Sequence, residues 1–198
     1  MDIKLIIKET IEQINGLDST NHYNERYLHH YFSKIVQDVC PISFSSDVGL
    51  HPEWATFIKK DREYARYLFN GQHYIPAEEN GSAGFIDFAI GKAERPKYAI
   101  EFKLSRKLNQ EGVIFDYMKL FDKRSPFSEV FSVIVYYGHK SESKLCKANI
   151  LNQCIKEAQY RLSDLFVLRP HHFHVIEIIK GRVVNHLYSS DTLIFKNL

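Results

Sequence analysis

Two short apolar runs, residues 85–90 and 98–104, are the feature of the sequence that most limits its fold. Both are rich in aromatic and aliphatic side chains, and the segment between them contains a glycine and a proline, so the pattern predicts two strands joined by a turn. A helix is predicted over about 112–121, and a nearly continuous apolar strand follows over 130–137. Because a strand, a helix and a strand in this order normally form a right-handed parallel crossover, we expect a mixed sheet.

The other periodic segments surround this unit. Helical periodicity predicts helices over 3–14, about 24–39 and about 144–161, with a further short helix possible over 54–68, and a second strand hairpin is predicted over 173–179 and 183–188. The order favours an α/β protein with a central mixed β-sheet flanked by helices. We expect a single domain over residues 1–198, divided into N-terminal helices (1–39), a core (about 84–137) and a C-terminal helix and strand hairpin (144–188).

Composition limits the class of protein. A chain of 198 residues with 44% hydrophobic side chains can bury the core of one ordinary domain. Its 26 basic and 24 acidic side chains leave a net charge of only +2, so nucleic-acid binding would depend on local patches. The three cysteines, Cys40, Cys146 and Cys154, include no CxxC pair. No long apolar segment indicates a signal peptide or a membrane span. We therefore expect a soluble cytoplasmic protein.

Charged residues interrupt the two apolar runs. Side chains alternate across a strand, so Glu101 and Lys103 project from the same face. Asp87 lies between Ile86 and Phe88 in the preceding run, where burial of a carboxylate is unfavourable unless another group compensates it. The three charges therefore call for a common explanation.

A divalent metal ion would supply that explanation. Mg²⁺ prefers carboxylate oxygens together with water and phosphate oxygens, and Asp87 and Glu101 on adjacent strands would provide the carboxylates. The backbone carbonyl of Phe102 is a further candidate ligand. Lys103 would then orient or deprotonate a metal-bound water and offset charge on a scissile phosphate. These residue types indicate a centre for phosphodiester hydrolysis.

The string Ile86-Asp87, followed after thirteen residues by Glu101-Phe102-Lys103, resembles the PD-(D/E)XK nuclease superfamily, with Ile86 in place of the motif's proline. That superfamily includes restriction endonucleases, repair nucleases and junction resolvases. The resemblance implies a restriction-endonuclease-like core, a magnesium cofactor with Mn²⁺ as a substitute, and DNA as the substrate, in restriction, repair or defence against mobile elements.

Members of the superfamily commonly add an acidic residue from the helix before the motif. Glu25, on the helix predicted over 24–39, resembles that residue, and Glu53 is a weaker candidate. A carboxylate near a helix N-terminus is also favoured by the helix dipole alone, by about 0.3–1 kcal/mol. The sequence therefore leaves the role of Glu25 open.

Several alternatives accompany the nuclease interpretation. A chain of this fold that binds nucleic acid or a protein partner without cutting is the main one. Glu101 and Lys103 would alternatively form an exposed ion pair, and Asp116 and Lys119 are spaced for a pair within a helix. A homodimer is left open, since double-strand cutting by one active site calls for a dimer or two successive nicks.

Two further patterns bear on partners. Nine basic residues outnumber five acidic ones over 92–124, which favours a positive rim that attracts phosphates. A histidine cluster, His171, His172 and His174, lacks the partners of a structural zinc site, so we do not expect one there.

Overall fold

The computed structural model describes residues 2–15, 25–39, 49–56, 65–105, 109–136, 144–167, 173–179, 182–188 and 195–197. In this part of the chain the helices are α1 (Ile3–Asn15), α2 (Glu25–Val39), α3 (Gln110–Phe121) and α4 (Lys144–Leu162), and a short 3₁₀ helix spans Ser163–Leu165. The strands are β1 (Gly49–Ala55), β2 (Arg66–Phe69), β3 (Tyr74–Ala77), β4 (Ser82–Ala83), β5 (Phe85–Lys92), β6 (Arg95–Ser105), β7 (Glu129–Tyr136), β8 (Phe173–Ile179), β9 (Arg182–Tyr188) and β10 (Phe195–Asn197).

Within the described residues, seven strands form one mixed sheet in the order β1-β5-β6-β7-β8-β9-β10. β5 pairs antiparallel with β1 and β6, whereas β7 pairs parallel with β6 and β8. The predicted crossover is therefore present, because α3 connects the parallel strands β6 and β7. A separate small sheet has the order β3-β2-β4 and lies just before β5 in the chain.

The two faces of the main sheet carry separate apolar cores. On one side Phe32 of α2 packs on Phe88 and Phe102, with ring centroids 4.9 and 5.2 Å apart. On the other side α3 and α4 contribute buried residues such as Tyr117 and Leu151. Full burial of each such side chain stabilises the fold by about 1.5–3 kcal/mol. Side-chain alternation along β6 therefore points Phe102 toward α2 and directs its neighbours in the strand toward α3.

Most predicted elements are confirmed to within two residues at each end, including α1, α2, α4 and the strand that carries Asp87, whereas the strand that carries Glu101 begins three residues earlier than predicted. The possible helix over 54–68 is wrong at both ends, because Trp54 is buried in β1 and residues 66–69 form β2. Residues 57–64 lie outside the described part. The small sheet and β10 were not predicted. No helix in the described ranges has the length and apolarity needed to cross a membrane.

Candidate functional site

The site lies where β5 and β6 separate. Their antiparallel ladder ends at Phe88 opposite Ile100. Before Phe88, β5 continues alongside β1, where Ile86 pairs with Trp54. The other edge of β6 continues to pair with β7, but amide groups of β6 beyond Ile100 that point toward β5 face a gap, and buried amides need another acceptor.

Two carboxylates accept hydrogen bonds from those amides. Asp87 Oδ2 accepts from the amide of Phe102 at 2.7 Å, and Glu25 Oε2 accepts from the amide of Leu104 at 3.2 Å. Glu25 is the first residue of α2, which crosses the end of β6. The gap between the strands is thus lined by two acidic side chains from different elements.

His29 completes this group. It follows Glu25 by one turn of α2 and packs edge-on against Phe88, with ring centroids 5.2 Å apart. Its Nε2 atom is buried and lies 3.5 Å from Asp87 Oδ2, which is an ion-pair distance but a long one for a hydrogen bond. One potential ligand atom from each of Glu25, His29 and Asp87 lies within 4.8 Å of the others. These three side chains could hold a metal ion.

The carboxylates influence the protonation of His29. Burial alone would lower the pKa of the His29 imidazole, but the adjacent carboxylate of Asp87 outweighs it and the net shift is upward. Burial acts against the charged form of Asp87, yet His29 and the amide of Phe102 lower the pKa of this carboxyl group overall. Burial raises the pKa of Glu25, while the charge of Lys103 opposes the rise. The group therefore contains closely coupled charges.

A second cluster lies on the α3 side of β6. Glu101 is 2% exposed, and its Oε1 atom accepts a hydrogen bond from Lys119 Nζ at 2.5 Å. Lys119 also lies 3.0 Å from Asp116 Oδ1, one turn earlier in α3. The expected pair between Asp116 and Lys119 is confirmed, but both residues are buried against the sheet rather than solvated.

Lys103 is bound to the same helix. Its Nζ atom lies 2.9 Å from Asp116 Oδ2, so that one carboxylate bridges Lys103 and Lys119. Burial acts against the ammonium form, but Asp116 dominates and raises the pKa of Lys103 to about 12. Lys103 is therefore protonated at neutral pH, which favours a charge-offsetting role over proton abstraction.

Across the two clusters, negative charge is in excess. With all four carboxyl groups ionised and His29 neutral, the two clusters have two more negative than positive charges. The carboxylates are Glu25, Asp87, Glu101 and Asp116, and the lysines are Lys103 and Lys119. Burial raises the pKa of Glu101 well above its usual range; the charge of Lys119 opposes this rise, and the charges of Asp116 and Asp87 add to it. Such a site favours uptake of a positive charge, as a proton or as a cation.

The predicted residues are thus divided between two clusters. Asp87 and Glu25 lie together, whereas Glu101 and Lys103 are engaged by α3. The carbonyl of Phe102 stays a predicted ligand. The hydrogen bond between Phe102 and Asp87 does not test this prediction, because it uses the amide of Phe102. His29 was missed, although its position one helical turn after Glu25 places both side chains on the same face of α2.

Glu53 has an unusual backbone. It adopts a left-handed φ of 51° in β1, between Pro52 and Trp54, which pair with the residues on either side of Asp87. Such a conformation costs about 1–3 kcal/mol for a residue other than glycine. The Glu53 side chain is exposed, and it is not part of the group that Glu25 forms with His29.

No match to this chain was found among protein-family models, curated proteins or solved structures. The resemblance to PD-(D/E)XK nucleases therefore depends on the motif residues from Asp87 to Lys103.

In the described part of the chain the positive rim is smaller than the sequence predicts, and two of its predicted members, Arg106 and Lys107, lie outside that part. Lys119 is buried in its ion pairs, and Arg124 forms an ion pair with Asp122 at 2.7 Å, so neither belongs to an open basic surface. Lys92, Arg95, Lys97 and Lys123 are exposed. Of the histidine cluster, His171 and His172 lie outside the described residues, as does the side chain of His174.

Proposed function

We propose that this chain is a divalent-metal-dependent nuclease that hydrolyses phosphodiester bonds, with DNA as its substrate. The observation that carries the proposal is the convergence of Glu25, His29 and Asp87, whose ligand atoms lie within 4.8 Å of one another at the gap between β5 and β6. The motif that resembles the nuclease superfamily occupies the same two strands.

The donors fit a divalent cation. Two carboxylate oxygens and one imidazole nitrogen suit Mn²⁺, whereas Mg²⁺ prefers oxygen alone. The buried Nε2 atom of His29 has no hydrogen-bond partner among the described residues, and a metal ion would satisfy it. A bound cation in nucleases of this kind lowers the pKa of a water molecule and polarises the phosphoryl group.

Lys103 would act on the phosphate. It is the partly exposed lysine of the two clusters, with 31% of its side chain accessible, and its pKa of about 12 keeps it positively charged. A fixed ammonium group offsets negative charge that develops on a scissile phosphate. Asp116 positions Lys103 through their 2.9 Å ion pair.

One observation favours the alternative, a module of this fold that binds nucleic acid or a protein without cutting. Glu101, the carboxylate at the centre of the motif, is occupied by Lys119 and is almost fully buried. A chain that does not cut has no requirement for an open carboxylate at this position.

Plasmid nicking tests the proposal. Wild-type protein should convert supercoiled DNA to the nicked form with Mn²⁺ or Mg²⁺ and not with EDTA. Asp87→Asn and Lys103→Met should each lower the rate by about 100-fold or more, the usual effect of removing one electrostatic contact in an active site. Lys34→Met, at an exposed position of α2, is the matched control.

Full activity in both site variants would refute the assignment. If the wild type binds DNA but leaves DNA and RNA uncut with either ion, the binding module replaces the nuclease.

A further inference from the structure

Lys119 is held in an oxygen cage. Its Nζ atom donates to Glu101 Oε1 at 2.5 Å and to the backbone carbonyl of Phe85 at 2.6 Å, and lies 3.0 Å from Asp116 Oδ1. Only 6% of the Lys119 side chain is exposed. An ammonium group has three hydrogens, so these three oxygens use its full donor capacity.

The same oxygens would suit a metal ion. Two carboxylates from different elements and one backbone carbonyl are a common ligand set for hard divalent cations. In this chain the position between them is filled by a covalently attached positive charge. Gly84 makes room for it, because a Cβ atom there would lie 2.9 Å from Lys119 Cδ.

We propose that Lys119 is a built-in cation in the place of a second metal ion. The centre then binds one divalent ion, through Glu25, His29 and Asp87, and Glu101 is not a ligand of that ion. This inference rests on the proposed function only for the ion that Glu25, His29 and Asp87 would bind. Lys119 is a positioning residue, which holds Glu101 and Asp116 and, through Asp116, the ammonium of Lys103.

The burial of the pair supports this arrangement. Coordination of an ion by Glu101 Oε1 would break the contact of that atom with Lys119 and leave a buried ammonium group with one carboxylate fewer. Removal of one partner of a buried ion pair is strongly unfavourable because the remaining charge is uncompensated. Glu101 and Lys119 are therefore expected to stay paired while an ion occupies the other cluster.

Counting bound Mn²⁺ by electron paramagnetic resonance of the free ion tests the stoichiometry. Wild-type protein should bind one ion per chain. Glu101→Gln should also bind one, with its affinity lowered by no more than about 10–100-fold, the usual effect of a change outside the ligand set. A Glu101→Gln protein that has lost the ion would overturn the proposal.

Lys119→Ala is the decisive variant, because it empties the cage while keeping all three oxygens. It should bind one Mn²⁺ more than wild type, and Mn²⁺ at about 100 times its dissociation constant should raise its melting temperature by about 5–10 °C beyond the rise in wild type. Lys119→Met fills the same space without a charge and should gain no ion. The double variant Lys119→Ala/Glu101→Gln should also gain none.

An unchanged ion count in Lys119→Ala would overturn the proposal, as would a Lys119→Ala protein that stays unfolded in millimolar Mn²⁺, since an ion then cannot replace the ammonium group. Failure of the proposed function gives a different result. If the wild type binds no ion and Lys119→Ala binds one, the proposal for Lys119 holds and the metal site at Glu25, His29 and Asp87 is wrong.

Discussion

Asp87 accepts a 2.7 Å hydrogen bond from the amide of Phe102, immediately beyond the last paired residues of β5 and β6. In an unbroken ladder a backbone carbonyl of β5 would accept from this amide. Asp87 thus takes the place of a backbone acceptor and at the same time faces Glu25 and His29. The carboxylate has a structural and a chemical role, and substitutions can separate the two.

Asp87→Ala should be less stable than Asp87→Asn. The alanine variant leaves the buried amide of Phe102 without an acceptor, at a cost of about 1–3 kcal/mol, whereas the asparagine oxygen can still accept. Urea unfolding followed by circular dichroism measures the difference. Asp38→Ala, at an exposed position of α2, should stay within about 0.5 kcal/mol of wild type. Equal stability of the two Asp87 variants would contradict this role.

His29 should determine which metal ion binds. An imidazole ligand favours Mn²⁺ over Mg²⁺, so calorimetry should give a higher affinity for Mn²⁺. His29→Ala should weaken Mn²⁺ binding by about 10–100-fold or more. His30→Ala, which removes the exposed neighbouring histidine, should leave the affinity unchanged. Equal losses in both variants would exclude His29 as a ligand.

The stability of the metal-free protein should depend on pH through His29 and Asp87. The pKa of His29 is raised from its usual 6.5, so its stabilising effect is present below that value and is lost as the pH rises through the folded-state pKa. The pKa of Asp87 is lowered from 3.8, so its effect is present above that value and is lost as the pH falls through the folded-state pKa.

The pair therefore stabilises the fold most between these limits. In EDTA, the difference in free energy of unfolding between wild type and His29→Gln should be largest near pH 5–6 and should decrease toward pH 8, measured by urea titration. Glu25 and Glu53 also raise the pKa of His29 and act in the same direction. If the difference in free energy of unfolding grows above pH 7, the pKa of His29 is not raised in the folded protein.

Local periodicity accounts for what could be predicted. Alternation along β6 placed Glu101 and Lys103 on one face, and the structure confirms that both contact α3. The same rule could not position Asp87, whose contact with Phe102 depends on where the ladder between two strands ends. The residue at which this ladder ends is set by tertiary structure, because it depends on where β5 leaves β6 and continues alongside β1.

The prediction for α3 shows a second limit. The sequence predicts a pair between Asp116 and Lys119 within the helix, and charged residues are usually exposed, yet these two residues are 5% and 4% exposed. Their burial is possible because Glu101 and Lys103 arrive from β6, and charges that are far apart in the sequence compensate each other. For His29 the sequence shows only that it shares a face of α2 with Glu25, whereas its contact with Asp87 depends on how α2 packs on the sheet.

Lys103 should contribute its charge rather than its proton. With a pKa of about 12 it stays protonated, so Lys103→Arg should keep a measurable part of the cleavage rate while Lys103→Met loses about 100-fold or more. The rate from pH 7 to 9 should show no loss that tracks deprotonation of a lysine. Arginine and methionine variants of equal activity would show that the charge is not used.

Gly84 should be needed for the position of Lys119. A Cβ atom at Gly84 would lie 2.9 Å from Lys119 Cδ and 3.3 Å from Tyr67 Cε2, and both neighbours are packed in the core. Gly84→Ala should therefore cost about 1–3 kcal/mol of stability, as overpacking usually does. Gly112→Ala is the matched control, because its Cβ would meet Asn109 only at ordinary contact distances of 3.5 Å or more, and in α3 it should add about 0.5–1 kcal/mol. If the two variants shift the urea midpoint in the same direction, Gly84 does not make room for Lys119.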